Sequence, residues 1–188
     1  MGKAAMAALV WGIGLAAQAA PLRLPAGKGP VAQGGAVTAA EQGALIGYRG
    51  WLLAVDGAVS EERPDVLLTS ADAGQAPRLQ IGSMRRSLPL WSVFELIKGG
   101  TRLRITALPG PEATALLLDF GEADYRIVIP AATIARPAYP LLAQRFPGAD
   151  LALLLQDGRR VMLPLGSGRA PVFGEEQAVP YRFAKVKR

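Results

Sequence analysis

The run Leu151-Ala-Leu-Leu-Leu-Gln156, Asp157-Gly158, Arg159-Arg-Val-Met-Leu-Pro-Leu165 restricts the fold more than any other part of this chain. Asp-Gly supplies the positive φ angles of a type I′ turn, whose twist matches that of the strands it joins. A tight hairpin is therefore predicted here. Pro164 cannot donate to a ladder, which places the end of the second strand at an edge or a bulge.

The same grammar recurs upstream. Arg102 to Thr106 alternates, with Leu103 and Ile105 on one face and Arg102, Arg104 and Thr106 on the other. Ala115–Phe120, a four-residue turn and Tyr125–Ile129 read as a strand and its return. Strands are also predicted at 44–49 and 51–55, closed by Asp56-Gly57, then at Val66–Thr69 and Arg78–Ile81. Two segments carry helix signals. In the first, Ser87 can cap, Pro89 suits a first turn, Leu90, Trp91, Phe94 and Ile97 recur at helical spacing, and Gly99 suits the left-handed C′ position. The second, Ala138–Phe146, lies between Pro137 and Pro147-Gly148.

With 22 glycines and 15 prolines in 188 residues, turns are many, and with 6% aromatics the core is expected to be aliphatic. The expected class is α+β, mainly β: an antiparallel sheet, small barrel or sandwich of about 8–10 short strands with two short helices. No fixed-period repeat is present.

The first 19 residues have one charge, at Lys3, then an uncharged apolar run, then Ala17-Gln18-Ala19. This is the layout of a signal peptide, with cleavage expected after Ala19 because a cut after Ala20 would leave proline next to it. The apolar run is short and diluted by Ala and Gly, which argues against an anchor of roughly 20 residues. No cysteine is present to carry a lipid. A periplasmic or secreted chain is expected, with no transmembrane span after leader removal. Residues 20–43, rich in Pro, Gly and Ala, read as a flexible linker. Residues 44–188 read as one β-rich domain with a basic tail.

The chain has no His and no Cys. That excludes thiolate nucleophiles, disulfides, Ser-His-Asp triads and cysteine or mixed zinc sites. No Ser-x-x-Lys spacing offers a serine–lysine dyad. The cluster Asp119, Glu122, Asp124 could serve a two-carboxylate hydrolase if its members converged, but turn carboxylates are ordinarily solvated. It does not match a calcium loop either. No enzyme activity, cofactor or metal is therefore expected, with a small carboxylate-dependent hydrolase as the alternative.

Charge is the more informative property. Removing residues 1–19 takes away only Lys3, leaving 20 basic and 15 acidic side chains. Arg85-Arg86, Arg102/Arg104 and Arg159-Arg160 are local concentrations, and the last seven residues carry four positive charges. Candidate binding residues are Arg159, Arg160, Arg182, Lys185, Lys187 and Arg188. The expected partner is an envelope protein or an anionic polymer or lipid surface, met through a sheet edge or an arginine-lined face. The final strand and the 159–165 edge are the candidate edges. Nucleic acid is not expected, because no aromatic-basic stacking motif appears. The chain thus reads as an exported, non-catalytic binding or scaffold module of a bacterial envelope.

Overall fold

The computed structural model describes residues 20–26, 34–40, 43–70, 75–157, 159–165, 177–178 and 180–183. Strands dominate. In chain order they are β1 (Leu22–Leu24), β2 (Gly35–Ala39), β3 (Ala44–Tyr48), β4 (Trp51–Val55), β5 (Val66–Thr69), β6 (Arg78–Ile81), β7 (Met84–Ser87) and β8 (Val93–Lys98). There follow β9 (Thr101–Pro109), β10 (Thr114–Asp119) and β11 (Arg126–Pro130). A 3-10 turn over Arg136–Ala138 leads into the helix α1 (Tyr139–Arg145). The chain then forms β12 (Leu151–Gln156), β13 (Arg159–Pro164), β14 (Gln177–Ala178) and β15 (Tyr181–Arg182).

These strands form an eight-stranded sheet, β1-β8-β9-β10-β11-β12-β13-β14, and a seven-stranded sheet, β15-β2-β3-β4-β5-β6-β7. A single topology occurs in both. Three antiparallel strands (β2-β3-β4 and β9-β10-β11) are followed by a parallel junction (β4 with β5, β11 with β12), and then by antiparallel neighbours (β5-β6-β7 and β12-β13-β14). The repeat lies in topology, not in sequence period.

Each parallel junction is locked by the same device. At β5, the Asp65 N–H donates to the Leu52 carbonyl at 2.8 Å, and the Leu52 N–H donates to the Asp65 carboxylate at 2.9 Å. At β12, Asp150 and Arg126 repeat both bonds, at 2.9 and 2.8 Å. An aspartate just ahead of the incoming strand satisfies a main-chain donor that the register leaves over, and a charged acceptor makes that bond strong.

The inner faces of the two sheets contribute to one core. Ile46, Leu53, Val55, Val66 and Leu68 come from the seven-stranded sheet, and Leu96, Leu103, Ile105, Leu118 and Ile127 from the other, all at most 1% exposed. Each such side chain contributes about 1.5–3 kcal/mol through burial. A second cluster lies on the outer face of the eight-stranded sheet. There Tyr139 and Leu142 of α1, with Ile134 and Phe146, cover Val128, Ala152, Leu154 and Leu163.

The hairpin over 151–165 forms as expected, with Gln156 paired to Arg159, and so does the helix at 139–145. Leu103 and Ile105 point inward as their alternation requires. Three expectations need correction. The segment predicted as the first helix is the end of β7, a turn and β8, which leaves one α-helix among the described residues. Val93, Phe94 and Ile97 suit a strand, and consecutive positive φ at Gly99 (54°) and Gly100 (80°) makes a hairpin turn to β9 instead of a helix cap. Asp56-Gly57, with positive φ, closes β4 as expected and opens the β4–β5 crossover, and Arg49-Gly50 turns β3 into β4. The strands number 15 among the described residues, more than the expected 8–10, because short Ala-, Gly- and Arg-bearing segments pair through their backbones. Finally, β1 and β2 lie within the span read as linker: β1 pairs parallel to β8, and β2 sits between β3 and β15. The expected leader lies outside the described residues.

Candidate functional site

Arg160 is not a surface residue. It sits on the inner face of the eight-stranded sheet, 8% exposed, with its guanidinium paired to Asp56 of the other sheet. The Asp56 carboxylate also accepts the Ser70 N–H (2.6 Å) and hydroxyl (2.8 Å). Burial lowers the pKa of Arg160 from its usual value, while Asp56 works in the opposite direction. Alternation explains the inward facing, since Arg160 shares a face with the core residue Met162. This pair ties the sheets together and offers a partner little.

Arg159 pairs through its main chain with Gln156, and nothing further of its side chain is described. Arg182 is exposed on β15, opposite Ala36, and β15 ends the seven-stranded sheet among the described residues. Lys185, Lys187 and Arg188 lie outside the described residues. The 159–165 strand is not an edge, because β14 pairs with Val161 and Met162. Pro164 lies beyond that pairing, where its missing N–H is tolerated.

The three carboxylates of 119–124 do not share one site: Asp119 and Glu122 line one hollow, and Asp124 does not. Asp119 pairs with Arg126 at 3.2 Å and accepts the Gly121 N–H at 2.9 Å. Asp124 turns to the other sheet, where it accepts the Tyr48 hydroxyl at 3.0 Å and meets Arg49 at 3.4 Å. Burial, and then the Asp124 carboxylate, push the Tyr48 hydroxyl well above its ordinary range, so it stays a proton donor. Among the described residues no group of three or more His, Cys, Asp or Glu could hold a metal ion.

The arrangement that sequence reasoning missed is the β6–β7 edge. Ile81 and Met84 close a two-residue turn at Gly82-Ser83, and Gly82 has a φ of 57°. Gly-Ser between two short apolar-ended runs is a hairpin signal that could have been read. The Leu88 N–H donates to the Pro77 carbonyl at 2.7 Å, which sets the alternation of bonded pairs along the hairpin. Arg86 and Met84 therefore bond to β6, while the main-chain groups of Arg85 and Ser87 face outward from the sheet. Because β7 ends the strand order among the described residues, no described strand pairs with those groups.

Beside this edge, on the outer face of the same sheet, lies a hollow of about 340 Å³. Ala54 and Leu67 form its apolar floor, Gly57 approaches from the crossover, and Arg78, Gln80 and Arg85 line its far side. Among the described residues no acidic side chain lines it. Two other hollows differ in character. One of about 490 Å³ lies over β2–β4 and contains Glu62 and Asp65 with Arg63 and Lys98, and one of about 190 Å³ mixes Arg102, Arg104 and Arg126 with Asp119 and Glu122. Each contains an ion pair already made, Lys98 with Asp65 at 2.7 Å and Arg126 with Asp119 at 3.2 Å. Of these three hollows, the β6–β7 one joins positive charge and apolar surface to a sheet edge that no described strand pairs.

Comparison with protein-family models, curated proteins and solved structures finds no match to this chain. No helix among the described residues is long and apolar enough to cross a membrane.

Proposed function

We propose that this chain is an exported, non-catalytic binding module of a bacterial cell envelope that takes an extended acidic segment of a partner protein along β7. Its two sheets are read as a sandwich around the shared core. The β7 edge carries the reading, with outward main-chain groups at Arg85 and Ser87 that no described strand pairs, beside a hollow with no acidic side chain among the described residues. Strand addition draws affinity from main-chain hydrogen bonds and specificity from flanking side chains. The arginines at this edge select an acidic segment and repel a second copy of the same edge, which limits self-association. Export rests on the leader pattern of residues 1–19.

The test is a short peptide of alternating Val and Glu, titrated into the protein with amide hydrogen exchange as the readout. Slowed exchange at Arg85 and Ser87 is expected, with binding that weakens as salt rises and falls at least tenfold in Arg85→Glu/Arg86→Glu. Unchanged exchange at these two amides, or equal binding by the charge-reversed protein, rejects the reading. Export is checked by the N-terminal mass of the protein from the periplasm or medium, expected to begin at Ala20.

A further inference from the structure

We infer a second contact surface: Trp91, with Leu90 and Val93, is a membrane anchor that seats this protein on an anionic lipid surface. Trp91 is 69% exposed, Leu90 49% and Val93 48%, three large apolar side chains within four residues. The other tryptophan among the described residues, Trp51, is 2% exposed and belongs to the core. An exposed tryptophan in a loose loop would mean little. This one is held in place.

The Trp91 N–H donates to the Ala107 carbonyl at 2.7 Å, and the Ala107 N–H donates to the Ser92 carbonyl at 3.0 Å. Two residues thus oppose one, which is a β-bulge, a device that re-aims a side chain at the end of a pairing. The Ser92 N–H closes a turn onto the Pro89 carbonyl at 3.0 Å. Trp91 has a φ of 69°, a left-handed conformation that is an outlier for a bulky residue and suits glycine. Folding alone favours glycine there. A strained aromatic kept at the tip of a bulge and turned into solvent is the kind of outlier that points to function.

The chemistry of the surroundings selects the partner. From Gln75 to Phe94 the chain carries Arg78, Arg85 and Arg86 and no acidic residue. Leu90, Trp91 and Val93 line none of the three hollows described above. An exposed apolar point a few residues along the chain from Arg85 and Arg86 suits a soft anionic phase. The indole ring sits well at the headgroup level, and basic residues gain from the negative surface potential of the leaflet. Peripheral attachment combines these same two terms.

The experiment uses the full chain in a Trp11→Phe background, so that fluorescence reports Trp51 and Trp91 alone. Vesicles of phosphatidylcholine with phosphatidylglycerol are compared with phosphatidylcholine alone. A blue shift of emission is expected with the anionic vesicles, weakening at high salt. Trp91→Gly is the decisive variant: the positive φ suits glycine, so its thermal midpoint is expected to equal or exceed that of the parent, while vesicle affinity drops at least tenfold. Residues 1–19 are common to both proteins, so their own lipid affinity cancels. Equal vesicle binding by Trp91→Gly, or no blue shift in the parent, overturns the assignment. So does Trp91-dependent capture of a protein partner without vesicle binding. Exchange at Arg85 and Ser87 with the peptide is a separate readout, so failure here leaves the β7 reading standing or falling by itself.

Discussion

The two six-strand units share a topology and an aspartate clamp, yet they treat their outer faces in opposite ways. In the unit β9 to β14, the crossover 131–150 contains α1 and turns the outer face into a second apolar cluster. In the unit β2 to β7, the crossover 56–65 is half as long and has no helix, and Leu67 on that outer face stays 37% exposed. The same backbone plan thus makes a buried layer in one place and an open, arginine-flanked hollow in the other. Crossover content, not strand pairing, decides which face is left for a partner.

The sharpest test of this contrast is a matched pair of truncations on the two outer faces. Leu154→Ala, under α1 and 1% exposed, is expected to cost about 2–5 kcal/mol in urea unfolding. Leu67→Ala should cost much less, and comparable losses would mean that the outer face of the seven-stranded sheet is covered after all.

The clamps come next in size. Asp65→Ala and Asp150→Ala each remove a charged acceptor from a main-chain donor, a loss of about 1–3 kcal/mol. Hydrogen exchange should accelerate locally, at Leu52 for the first and at Arg126 for the second. Asp65 also holds Lys98 of the other sheet, so its loss should spread further along β8. An identical, purely local response at both sites would break that distinction.

A smaller effect concerns the end where Tyr48 joins the units, packed among Phe120, Tyr125 and Phe183. The folded state raises the pKa of Tyr48, and burial also raises that of Tyr181. Both phenols bind their protons more tightly when folded, so their contribution is complete below the ordinary value of 10.0 and is lost as pH climbs above it. Thermal melts should show stability declining above about pH 10, and Tyr48→Phe should flatten that decline while costing about 1 kcal/mol at neutral pH. A decline as steep in Tyr48→Phe would assign it elsewhere.

The smallest expected change is at the open face itself. Leu67→Thr should alter stability by no more than about 0.5 kcal/mol, yet lower affinity for the acidic peptide, since the side chain forms part of the hollow floor. A stability change with intact binding would make Leu67 a packing residue.

Local patterns made many of the strand positions readable. The Asp157 turn, the alternation from Leu103 to Ile105 and the helix near Tyr139 all form where periodicity and turn chemistry place them. The segment after Ser87 defeats this reasoning because Trp91, Phe94 and Ile97 satisfy helical spacing too, and only pairing of Val93–Lys98 with β9 settles the conformation. The composition of residues 20–43 hides β1 and β2 for a related reason: backbone ladders recruit Ala and Gly when a neighbouring strand offers free donors. Arginine at a sheet edge was expected, but Arg160 faces inward to Asp56, while Arg85 and Ser87 lie on β7, the last strand of its sheet among the described residues.

Sequence by itself determined the mainly β class, the hairpin positions and the absence of imidazole and thiol chemistry, because turns, alternation and residue types act over a few neighbouring positions. Tertiary structure decided the rest: which strands pair across 74 and 144 residues, which of two equivalent outer faces is covered, and which arginine is buried against a distant carboxylate. Those outcomes depend on long-range competition for apolar partners and main-chain donors, which no local window of sequence contains.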